Sequence, residues 1–141
     1  MDLNANIIDA RVSAIMGELR ERARSELGVG DDGRLRSVAF LHLCVKTMLD
    51  FDDEQAFDCI VEGGQDFGLD AIHASEERDG EFTVTLFQSK YKTKLEGTSN
   101  FPEDGIAGLL KAIRYLFDPA ADLQNLNQRL LSKVEEVRSL I

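Results

Sequence analysis

From about Asn6 to Leu27 the apolar positions Ile7, Ile8, Val12, Ile15, Met16 and Leu19 recur every three to four residues, which predicts an amphipathic helix. Gly28-Val29-Gly30-Asp31-Asp32-Gly33 interrupts that period and reads as a connector. It lacks the Gly-Lys-Ser/Thr ending of a phosphate loop and follows no strand. A second helix over about Leu35 to Leu49 leaves little polar surface, with Val38, Ala39, Leu41, Leu43, Val45 and Met48, and is expected to be the central buried helix. Asp50-Phe51-Asp52-Asp53-Glu54 invites a calcium-loop reading, but no loop glycine follows Glu54 and Val61 falls where the closing glutamate should stand. The acids suit the start of a short helix, with Asp52 or Asp53 as its cap. That helix would carry Glu54, Phe57 and Asp58 and lead into a short strand at Cys59-Ile60-Val61.

The period changes to two over Gly68 to Ser75 and again over Glu81 to Tyr91, where Phe82, Val84 and Leu86 alternate with Thr83, Thr85 and Phe87. Arg78-Asp79-Gly80 between them suits a three-residue hairpin loop with glycine in the left-handed position. With Glu77 opposite Glu81, Asp70 stands opposite Gln88 and Gly68 opposite Lys90. One face then carries Asp70, Ile72, Ala74, Val84, Leu86, Gln88 and Lys90. Its apolar members are expected to pack under a helix, and its polar members Asp70, Gln88 and Lys90 to gather at the end away from the turn. A slip of one residue would bury Thr83 and Thr85 and separate the polar three.

After a polar loop from Thr93 to Pro102, a helix from Pro102 or Glu103 to Phe117 is expected, ended by Asp118-Pro119. A last helix from near Ala121 carries Leu123, Leu126, Leu130, Val134, Val137 and Ile141. That stripe reaches the final residue without a capping glycine, which implies a longer parent chain with further domains. The expectation is an α/β fold in one domain. A helical segment over 1–34 precedes a core over 35–118, in which a mixed or antiparallel sheet, built on the hairpin 68–91, is flanked by helices, and a C-terminal helix over 119–141 follows.

A chain of 141 residues, 43% apolar and 30% charged, can bury one core. Its longest apolar runs are far short of the roughly 20 residues of a membrane-spanning helix, and the N-terminus lacks the basic start of an export signal. A cytoplasmic protein without a membrane partner is expected. Cys44 and Cys59 have no Cys-x-x-Cys spacing, and His42 and His73 lack a helical metal-site partner, so all four read as structural. The net charge of -10 counts against nonspecific coating of nucleic acid, although Lys90, Lys92 and Lys94 form a local basic stripe.

An acid on one strand and Gln-x-Lys on the next can hold a divalent cation beside a phosphodiester. Asp66-Phe67-Gly68-Leu69-Asp70 followed by Gln88-Ser89-Lys90 resembles the PD-(D/E)XK nuclease superfamily in its Mrr-like form. The longer blocks, Gly63 to Ile72 and Phe87 to Lys92, are most similar to the N-terminal domain of abortive-infection phage-resistance proteins. The likeness covers about residues 35 to 118. It implies a restriction-endonuclease-like core and Mg²⁺- or Mn²⁺-dependent hydrolysis of DNA in anti-phage defence. Asp70 would be the principal metal ligand, joined by the Gln88 side-chain oxygen and the Ser89 backbone carbonyl, and Lys90 would position the attacking water. Asp66 stands either as a further ligand or as a cap of the glycine turn. The family's usual helix glutamate has no counterpart between Leu35 and Leu49, which leaves Glu54, Asp58 or Glu62, and Glu54 is the choice because a helix start could overhang the site. DNA, further domains and a homo-oligomer are the partners this implies. The competing expectation is a noncatalytic module that keeps the nuclease fold and uses its acidic surface and helical faces for protein assembly.

Overall fold

The computed structural model describes residues 3–61, 69–89, 103–118, 120 and 126–141. Along these residues run α1 (Leu3–Leu27), α2 (Asp32–Leu49), α3 (Asp53–Asp58), β1 (Ala71–Ala74), β2 (Val84–Phe87), α4 (Glu103–Phe117) and α5 (Gln128–Leu140). The protein is a mixed α/β chain, mostly helical, with a two-stranded antiparallel sheet among the described residues. Two compact units divide it, the first holding α1, α2 and α3 and the second β1, β2, α4 and α5.

In the first unit α1 and α2 pack together through Val12, Ile15, Met16 and Leu19 on one side and Leu35, Val38, Ala39, Leu41 and Val45 on the other, all buried. Helix α1 begins earlier than its apolar period suggests, and Ile7 and Ile8, expected on the buried stripe, are exposed. Gly28 ends it at φ 68°, a left-handed conformation that residues with side chains rarely adopt, and the Val29 N–H reaches back to the Ala23 carbonyl. Helix α2 also starts early, because the Asp31 carboxylate accepts from the Arg34 N–H and draws Asp32 and Gly33 into the first turn. Met48, placed on the apolar helix by sequence, is exposed. Helix α3 opens with a reciprocal cap: the Gln55 N–H donates to Asp52 Oδ1 at 2.8 Å, and the Asp52 N–H donates to Gln55 Oε1 at 3.1 Å. His42 is buried, and its Nε2 donates to the Asp53 carbonyl at 3.1 Å, which fits its structural reading. Cys44 and Cys59 are both thiols, and burial pushes the Cys44 thiol up.

In the second unit β1 and β2 pair as Ala71 with Phe87, Ile72 with Leu86, His73 with Thr85 and Ala74 with Val84. This is the register expected from alternation. Ile72, Ala74, Val84 and Leu86 lie in one cluster with Leu109, Ala112 and Leu116 of α4 and Leu130, Val134 and Val137 of α5. Thr83 is exposed on the other side.

The turn departs from expectation. Arg78 and Glu81 exchange backbone bonds of 2.8 and 3.0 Å, and both loop residues have positive φ, Asp79 at 56° and Gly80 at 80°. The loop therefore has two residues in a type I′ geometry, not three, and Glu77 does not face Glu81. Farther down, the Ser75 N–H donates to the Thr83 carbonyl in the frame of the strands, so Glu76 and Glu77 together stand against Phe82 as a bulge. The physical reason is local. Asp79-Gly80 supplies the two left-handed residues of a tight turn, and the opposed Arg78 and Glu81 replace a pair of like charges.

Helix α4 matches its expected limits, and the Asp118 N–H closes it on the Arg114 carbonyl. Helix α5 starts at Gln128, later than the expected Ala121, because Asn127 caps it by accepting from the Leu130 N–H at 2.8 Å. Leu130, Val134 and Val137 form its buried stripe, whereas Ile141 is exposed. Leu123 lies outside the described residues. No described helix is long and apolar enough to cross a membrane.

Candidate functional site

Alternation of apolar residues fixes the ladder at Ala71 and Phe87, and the residues just beyond that pair are Asp70 on one strand and Gln88 on the other. Both are half-buried. The structure thus brings two of the sequence-predicted residues to the same end of the hairpin. Ser89 follows Gln88 and is also half-buried. Lys90 and Asp66 lie outside the described residues.

The backbone at this end is tied on two sides. Ile60 bridges Ala71, with the Val61 N–H donating to the Asp70 carbonyl and the Ile72 N–H donating to the Cys59 carbonyl, each at 2.9 Å. The short strand expected at Cys59-Ile60-Val61 is therefore a single bridge. In a regular antiparallel ladder of this frame Val61 and Asp70 would exchange two bonds, the second running from the Asp70 N–H to the Val61 carbonyl. That second bond is replaced. The Asp70 N–H donates instead to the Phe87 carbonyl at 2.9 Å, and the Val61 carbonyl accepts from Asn127 Nδ2 at 2.8 Å. The neighbouring Ile60 carbonyl accepts from Arg129 Nε at 2.7 Å. Asp70 is consequently the point where the peptide plane leaves the alternation that governs 71–75.

Glu54, expected to overhang the site, belongs to the first unit and is engaged there. Its carboxylate accepts from Arg22 Nη1 at 2.8 Å, and its side chain is 79% exposed. The same guanidinium binds Glu26 at 2.9 Å and lies 4.0 Å from the centroid of the Phe57 ring. Hydrogen bonding to Glu26, reinforced by Glu54, holds Arg22 still more firmly protonated than usual. Nearby, the hydrogen bond from Lys46 Nζ at 2.7 Å lowers the Asp53 carboxyl below its ordinary range, with His42 and Arg11 adding to the pull.

Among the described residues no three or more His, Cys, Asp or Glu side chains are grouped to hold a metal ion. The ligand set expected from the sequence is of another make-up: one carboxylate, one amide oxygen and a backbone carbonyl, from Asp70, Gln88 and Ser89. These are hard oxygen donors of the kind that suit Mg²⁺ or Mn²⁺ with water completing the shell. Asn127 and Arg129 escaped the sequence reading. An asparagine three residues before Leu130, the first buried position of an apolar period, does signal a cap. Nothing in the sequence signals its second bond, to a carbonyl 66 residues away. Set against known proteins, the chain matches no family model, no curated protein and no solved structure.

Proposed function

We propose that the hairpin unit is the core of a restriction-endonuclease-like domain that hydrolyses DNA phosphodiester bonds with Mg²⁺ or Mn²⁺, and that it serves anti-phage defence by abortive infection. The observation that carries this reading is the pairing of Ala71 with Phe87, beyond which Asp70 and Gln88 are the next residues of the two strands. A bound divalent ion would supply charge neutralisation at the phosphate and a more acidic water. Asp70 would hold it through its carboxylate, with the Gln88 amide oxygen and the Ser89 carbonyl contributing neutral oxygens. Glutamine where an acid could stand removes one negative charge, so the affinity for metal is weaker than that of a two-carboxylate site. Lys90 would place the attacking water and offset the negative charge that grows on the phosphoryl oxygens as the new P–O bond forms and the old one breaks.

The test is cleavage of plasmid DNA with Mg²⁺ or Mn²⁺. Asp70→Ala and Lys90→Ala are each expected to abolish cutting while the thermal transition is retained. Equal cutting by wild type and both variants rejects the assignment.

A second reading, a nuclease-fold module for protein assembly without catalysis, draws on one specific observation: Glu54, the helix acid chosen to complete the ligand set, is bound to Arg22. Titration calorimetry with Mg²⁺ separates the two. A binding signal lost in Asp70→Asn favours the enzyme, and no signal in either protein favours the module.

A further inference from the structure

We propose that Asn127 is the positioning residue for Asp70. Its amide occupies the Val61 carbonyl, the acceptor that the Asp70 N–H would take in a regular ladder, and so keeps the Leu69–Asp70 peptide turned toward Phe87.

Buried carbonyls and N–H groups must be satisfied, at a cost of about 1–3 kcal/mol for each one left without a partner. Among the described residues the Asp70 N–H across the bridge and the Asn127 side chain can both donate to the Val61 carbonyl. Asn127 does so at 2.8 Å, whereas the Asp70 N–H donates to the Phe87 carbonyl. The Asn127 amide cannot serve the other way round. Its Oδ1 accepts from the Leu130 N–H at 2.8 Å, so turning the amide over would set N–H against N–H and oxygen against oxygen. The cap of α5 therefore fixes which end of the side chain meets Val61. Arg129 adds a second tie from the same turn of α5, at the Ile60 carbonyl, and Val61 passes the constraint on through its own N–H to the Asp70 carbonyl. Both peptide planes that flank the Asp70 Cα are held, one by Phe87 and one by Val61, and the direction in which its side chain leaves the backbone follows from them.

The consequence for metal binding rests on the reading of Asp70 as a ligand; the backbone arrangement does not. The experiment uses the whole chain and separates the two roles of Asn127. Asn127→Asp keeps an oxygen for the Leu130 N–H and places a second oxygen, not a donor, against the Val61 carbonyl. Asn127→Ser keeps the cap and is too short to reach Val61, and it carries the test if the aspartate variant does not fold. Hydrogen exchange is expected to show the Leu130 N–H still protected, and NMR couplings across hydrogen bonds are expected to show the Asp70 N–H moved from the Phe87 carbonyl to the freed Val61 carbonyl. Affinity for Mg²⁺ is expected to fall about 10- to 100-fold. An Asp70 N–H that stays on the Phe87 carbonyl in the variants overturns the proposal. If the wild type binds no Mg²⁺, the metal reading falls and the couplings alone decide the role of Asn127. If Mg²⁺ affinity is unchanged while the Asp70 N–H has moved, Asn127 steers the backbone without steering a ligand, and the positioning role is rejected.

Discussion

The two units use their charged and polar side chains differently. Around α1, α2 and α3, cations meet acids: Arg20 with Asp32, Arg22 with Glu26 and Glu54, Arg24 with Glu21, Arg36 with Asp9, and Lys46 with Asp53. The hairpin unit includes long-range contacts that end on backbone carbonyls: Asn127 on Val61, Arg129 on Ile60 and Arg138 on Asp118. Lys133 and Glu136 form an ion pair there at 3.8 Å. Surface ion pairs contribute little because water competes for both charges. A donor on a half-buried carbonyl contributes more, since losing it leaves an acceptor that water reaches poorly. The first unit therefore owes its stability to helix packing and caps, and its charges can be altered cheaply. The second depends on a few ties between residues far apart in sequence, and the candidate site lies among them.

The largest effect that could break this comparison comes from its shared term, the core. Ile72→Ala in the sheet cluster and Leu41→Ala in the helical pair each remove a fully buried side chain and should each cost about 2–5 kcal/mol in denaturant unfolding. Hydrogen exchange should assign each loss to its own unit. A loss spread evenly over both would mean that the units unfold as one.

A sharper contrast comes next. Arg129→Ala should cost about 1.5–3 kcal/mol because the Ile60 carbonyl loses a charged donor, whereas Arg20→Ala, which breaks an exposed pair with Asp32, should cost about 0–1 kcal/mol. Equal costs would erase the distinction between the units.

The smallest effect is electrostatic. The Asp53 carboxyl is lowered chiefly by its hydrogen bond from Lys46, so this pair stabilises the folded state above the ordinary aspartate pKa of about 3.9 and loses its effect as pH falls through the lowered folded value. Lys46→Met should therefore reduce the melting temperature slightly at neutral pH, and the gap from wild type should close in acid below pH of about 4. Asp53 is largely exposed, which keeps the effect within the range of surface pairs. A gap that persists at low pH would assign the loss to packing of the lysine stem.

What the sequence made legible follows the same division between local and distant causes. Alternation of Val84 and Leu86 with Thr83 and Thr85 determined the strand register, because a shift by one would have buried threonines. The caps at Asp52 and the end of α4 before Pro119 were legible because they are set by neighbours. The turn was misjudged by one residue since the pattern on the strands says nothing about a bulge at Glu76 and Glu77. Ile7 and Ile8 fit the helical period but lie exposed, as periodicity reveals a stripe and not how far its covering reaches. At the hairpin end the register alone made Asp70 and Gln88 the next residues beyond Ala71 and Phe87. The turned peptide at Asp70 was not legible, because its cause is Asn127, which is distant in the chain and meets Val61 only after folding.

The bulge in the hairpin carries one more consequence. Since Glu76 and Glu77 already absorb a step of one residue, the turn at Asp79-Gly80 and the opposite end at Asp70 and Gln88 keep separate counts. A residue gained or lost near the tip need not propagate to the base. A spin label or fluorophore carried on Asp79, which is exposed, would thus ride on the hairpin unit as a reporter without disturbing the end where the carboxylate sits.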